Sequence, residues 1–124
     1  PTYEHWLDEL ERAAMDARAV SPGDDAAVGA VVDELVVASF AIHRCSGEET
    51  FGRIAYVDEA FGRYEAQVRA SPDLPFENEE LLDELDRSID ALRVEIARRG
   101  SLQRHCPAPP DLPQRPRGEG VPRI

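Results

Sequence analysis

At 124 residues the chain has the length of one domain, and 42% apolar residues are enough to bury a core without staples. A formal net charge of −11 repels phosphate backbones and excludes nucleic-acid binding through the body, and a basic complement made only of arginine excludes Schiff-base lysine chemistry. Two cysteines and no signal-peptide pattern exclude a disulfide-dense secreted scaffold and point to a reducing cytoplasm.

Four segments carry a helical period. In the first, Tyr3, Trp6, Leu7, Leu10, Ala14 and Ala17 recur at intervals of three and four. Thr2 is placed to cap it, with Glu4, Asp8 and Glu9 near its positive end. The run Val20-Ser21-Pro22-Gly23-Asp24 ends it. The second segment, from about Asp24 to Cys45, is the most apolar run. Asp33 and Glu34 at its middle would cost several kcal/mol in a bilayer, roughly 5 or more, so a buried core helix is expected rather than a membrane span. Its valines would also suit a strand, but its length and alanine content favour helix.

The third segment puts Ile54, Val57, Phe61, Tyr64 and Val68 on one stripe, and Ser71-Pro72 ends it. Residues 73–76 are expected to form a loop, with Asn78 capping the fourth segment. There Leu81, Leu82, Leu85, Ile89, Leu92 and Ile96 form a seam; Arg98 and Arg99 complement the negative end, and Gly100 closes it. Short connections make consecutive helices antiparallel neighbours. The sequence therefore predicts an all-α, up-down-up-down four-helix bundle over residues 1–100. An open helical array completed by another subunit is the alternative. Residues 101–124 are expected to form an extended, proline-rich tail.

Charge divides unevenly. Residues 1–97 hold 23 acids against 8 arginines (−15), and residues 98–124 hold 6 arginines against 2 acids (+4). The tail is expected to lie on an acidic, partly apolar surface of this chain or of a partner, with Leu112, Val121 and Ile124 as anchors. The acidic run Glu77, Glu79, Glu80, Asp83, Glu84 and Asp86 reads as a solvated face.

Both cysteines have a histidine nearby. In an up-down bundle the second and fourth helices end at the same pole, which brings His43, Cys45, His105 and Cys106 within reach of one another. Two Cys and two His form a zinc ligand set, although residues 43 and 45 lie about 200° apart on a regular helix. The alternatives are a Cys45–Cys106 disulfide, or separate thiols with Cys45 buried and inert and Cys106 exposed in the tail; separate thiols are the default. Asp33 and Glu34 would form a proton-transfer pair if drawn into a pocket, and are otherwise the solvated stripe of a core helix.

Residues 3–24 include Tyr3, Glu4, His5, Trp6, Leu7, Leu10, Glu11 and Arg12, followed by the exit Val20-Ser21-Pro22-Gly23. This resembles a helix of the nitrile hydratase β-subunit family, with its Tyr-Tyr-Glu-x-Trp-Leu-x-x-Leu-Glu pattern and Val-Ser-Pro-Gly-Glu type of exit. Similar helices occur in thiocyanate hydrolases and in small activators of cobalt enzymes. The resemblance covers about a fifth of the chain. The Cys-x-x-Cys-Ser-Cys run of the catalytic subunit is absent, and nothing reads as the family's β-barrel. The resemblance therefore implies a non-catalytic helical subunit or maturation partner, with cobalt or iron belonging to the partner. Tyr3, His5 and Trp6 join the tail anchors as expected partner contacts. The other readings are a stand-alone interaction or regulatory module, homo-oligomeric or bound to another protein, and a small-molecule binder with an interhelical pocket.

Overall fold

The structure, a computed structural model, describes residues 1–21, 23–46, 51–71 and 75–108. Four helices follow one another: α1 (Tyr3–Ala19), α2 (Asp25–Ser46), α3 (Phe51–Ala70) and α4 (Pro75–Arg98). α1 packs on α2 and α4, and α3 packs on the same two, so the helices close into a ring as expected of an up-down-up-down bundle.

Caps account for both ends of α1, the start of α2 and the end of α4. The Thr2 hydroxyl accepts from the His5 amide at 3.1 Å, satisfying one of the orphan donors of α1. Val20 leaves the helix in an extended conformation at its other end. The Asp24 carboxylate accepts from the Ala27 amide at 3.1 Å and starts α2. Gly100, at φ 70°, ends α4: its amide donates to the Ala97 carbonyl and that of Ser101 to the Ile96 carbonyl, a Schellman pair.

The start of α4 differs from expectation. The helix begins at Pro75, so Asn78 sits inside its first turn rather than capping it. Proline suits the first helical position because the amide it lacks would have no partner there. Residues 75 and 76 therefore belong to α4, not to the loop.

The apolar stripes meet in one core. Tyr3, Leu7 and Leu10 of α1 are buried with Val28, Leu35 and Ile42 of α2, and all five residues of the α3 stripe lie against Leu82, Leu85, Ile89, Leu92 and Ile96 of α4. Burying each such side chain contributes roughly 1.5–3 kcal/mol. α2 is long and apolar enough to cross a membrane, with a mean hydropathy of 1.6 over its most apolar window, but half of that window is buried inside the bundle. Across the surface, Arg93 bridges to Asp8 and Glu11 at 2.7 and 2.9 Å, and Arg18 to Asp83 and Asp86 at 2.8 and 2.6 Å. Both pairs of bridges tie α1 to α4.

The segment after α4 does not leave the bundle at residue 100. It crosses the start of α1, where the Tyr3 and Glu4 amides donate to the Arg104 and Leu102 carbonyls, each at 3.0 Å. The Cys106 amide donates to the Pro1 carbonyl at 2.7 Å, and the Trp6 indole N–H to the Cys106 carbonyl at 2.7 Å. Residues 101–106 thus supply acceptors to the first turn of α1.

Candidate functional site

The expected zinc set is not assembled. α2 and α4 do end at one pole, but Cys45 and Cys106 form a disulfide there, with a Cα–Cα distance of 5.4 Å. Two oxidised sulfurs are not thiolate ligands. The separate-thiol default is also corrected: Cys106 is fully buried, and Cys45 is the more exposed of the two. His43 turns toward Asp58, with Nε2 3.0 Å from a carboxylate oxygen, while His105 is exposed and pairs its backbone with Thr2. Among the described residues no group of three His, Cys, Asp or Glu is arranged to hold a metal ion.

The residues expected as partner contacts on α1 are placed differently from one another. Tyr3 is completely buried and Trp6 nearly so; both serve the chain's own segment 101–106, where the Arg104 guanidinium stacks 5.3 Å above the Tyr3 ring. Of the three, only His5 is exposed. Leu112, Val121 and Ile124 lie outside the described residues.

A polar cluster that the sequence reading did not single out joins α2 to α3. The Asp58 carboxylate accepts from the buried Ser39 hydroxyl and faces His43. Ser39 and His43 are four residues apart on one face of α2, which was the available signal. The three residue types match a hydrolytic triad, but the order does not. A nucleophile needs the imidazole at its hydroxyl and the carboxylate behind the imidazole; here the carboxylate takes the hydroxyl hydrogen directly. The arrangement is suited to locking α2 on α3.

Asp33 and Glu34 line a groove of about 350 Å³ between α1 and α2, with Trp6, Glu9 and Val37. Partial burial, then the charges of Asp16 and Glu9, push the Glu34 carboxyl above the usual range, while Arg12 opposes them. Glu34 itself is exposed, which fits the solvated stripe. A larger groove of about 530 Å³ runs between α3 and α4, lined by Gln67, Glu80, Leu81, Asp83, Glu84 and Arg87.

At the pole opposite the disulfide lies a smaller cavity of about 250 Å³. The end of α1 supplies Arg18 and Val20, α3 supplies Tyr64 and Val68, and α4 supplies Asn78 and Leu82. Asn78 is only 5% exposed, and neither its Oδ1 nor its Nδ2 has a hydrogen-bond partner among the described residues. Burial pushes the Tyr64 phenol upward, keeping it protonated.

No family model matches the chain, and neither the curated proteins nor the solved structures contain a match to it.

Proposed function

We propose that this chain is a non-catalytic helical partner protein, a subunit or maturation partner of a nitrile-hydratase-like metalloenzyme, and that it acts through its acidic surface. The observation that carries the reading is the groove between α3 and α4. Glu80, Asp83 and Glu84 line it together with Arg87, Asp83 and Glu84 being paired with Arg18 and Arg63, and Leu81 gives it an apolar patch. Such a surface suits an arginine- or lysine-bearing segment that also carries an apolar side chain. The similarity of α1 to the family's helix supports the choice of partner. Since Tyr3, Trp6, Leu7 and Leu10 are buried in this chain's own core, the resemblance describes how α1 packs at home. The contact with the enzyme falls on exposed residues instead.

Co-expression with a chain bearing the Cys-x-x-Cys-Ser-Cys motif tests this reading. Co-elution at low ionic strength is expected, with a rise in the enzyme's bound cobalt or iron. Glu80 is exposed, and Glu80→Lys is expected to weaken the complex at least tenfold while leaving the helical signal unchanged. Failure to co-elute at any salt concentration, or indifference to Glu80→Lys, would overturn the reading.

A further inference from the structure

We infer that the Cys45–Cys106 disulfide is a redox clasp: a dithiol reductant opens it by attack at Cys45, and opening releases the end of segment 101–106 from α1. The two sulfurs differ in access. Cys106 has no exposed surface, whereas Cys45, in the last turn of α2, is partly exposed. Exchange requires an incoming thiolate to reach the sulfur that it attacks, so the point of attack is Cys45. A bond forms from the thiolate to Cys45 Sγ as the Sγ–Sγ bond breaks. The electron pair leaves on Cys106 Sγ, which takes a proton from water. The second thiolate of the reductant then displaces Cys45 in the same way. The dithiol ends as its own disulfide, and the protein holds two thiols.

The segment is held differently at its two ends. At its start the Gly100 turn fixes it to α4, with the Ser101 amide on the Ile96 carbonyl and the Arg104 amide on the Ser101 carbonyl. That local turn places the Leu102 and Arg104 carbonyls for the Glu4 and Tyr3 amides. The other end rests on Cys106. Its amide meets the Pro1 carbonyl at the chain terminus, its carbonyl meets the Trp6 indole, and its sulfur is crosslinked to α2. A thiol packs as a small apolar group but ties nothing covalently. The reduced segment therefore frays from Cys106 inward, losing Pro1 and Trp6 first and the contact between Glu4 and Leu102 last. Trp6, only 8% exposed under the clasp, is uncovered by that step. The clasp is independent of the acidic groove and of any enzyme partner.

Trp6 is the chain's single tryptophan, so the clasp carries its own reporter. The full chain is reduced with dithiothreitol at room temperature, well below its melting transition. Acrylamide quenching of Trp6 is expected to rise by about twofold or more, with emission moving to longer wavelength and the far-ultraviolet helical signal unchanged. Reoxidation should reverse both changes. The quenching ratio and the wavelength are read rather than intensity, because a nearby disulfide itself quenches an indole. Brief exposure to glutathione, stopped with acid and followed by peptide mapping, should place the mixed disulfide on Cys45. Cys45→Ser with Cys106→Ser should show the quenching of the reduced parent without any dithiol, and the reduced parent keeps the test available if that variant fails to fold. The inference is overturned if complete reduction, or the folded double variant, leaves Trp6 as shielded as before. It is equally overturned if the adduct falls on Cys106, or if the helical signal collapses together with the shielding, since the whole bundle and not the segment would then have opened.

Discussion

At the scale of single residues, Glu34 and Leu35 show how adjacent positions on one helix follow opposite rules. Leu35 is fully buried, and Leu35→Ala is expected to cost about 2–5 kcal/mol, read from the denaturant midpoint. Glu34 carries a carboxyl raised above its ordinary value by partial burial and by Asp16 and Glu9. A carboxylate whose folded pKa is raised opposes folding above that pKa, and the penalty fades as pH falls through it toward the unfolded value. Glu34→Gln should therefore raise stability at neutral pH, by less than about 1 kcal/mol given its exposure, and the gain should vanish in acid. Thermal melts of both proteins across pH check the sign; an equal gain at every pH would remove the charge explanation. The sequence marks Glu34 as part of the solvated stripe of a core helix, which its exposure fits. It did not reveal the Ser39–Asp58–His43 cluster, because Asp58 reaches α2 only through tertiary packing.

At the scale of elements, the close of α4 governs more than α4. Gly100 takes a left-handed conformation that alanine adopts at a cost of about 1–2 kcal/mol, and from there the chain turns to lay residues 101–106 over the start of α1. Gly100→Ala is thus expected to lower Tm by roughly 4 °C or more and to speed hydrogen exchange at the Tyr3 and Glu4 amides. If those amides keep full protection, the two helix ends are not coupled through this turn. The sequence made Gly100 and Thr2 legible as caps because each acts within its own turn. The start of α4 differs from expectation because Asn78 and Pro75 are both helix-start signals, and the one nearer the N-terminus sets the backbone. The crossing of 101–106 was not legible, since its acceptors are carbonyls, which no residue type announces.

At the scale of the whole molecule, the disulfide joins residues 61 apart and closes a covalent loop around α3 and α4. Loop-closure entropy assigns such a crosslink about 4 kcal/mol. Cys45→Ser with Cys106→Ser, or mild reduction, should lower Tm by roughly 15 °C or more; an unchanged melting temperature would mean that the bundle does not depend on the bond. The charge asymmetry changes meaning when mapped onto the fold. Arg98 and Arg99 pair with Glu95 and Arg104 covers Tyr3, so half of the expected basic tail is spent on the bundle itself. The four-helix architecture was legible because each apolar stripe has to find another. Function was not, because a groove or a clasp arises only where elements meet. Pro1 and Cys106 are hydrogen-bonded neighbours, so both described ends emerge at one pole, while the Asn78 cavity opens at the other, about 27 Å away along α4. Joined to a larger assembly by either end or by both, the bundle would stand like a plug on a short lead, with its far face turned outward and free.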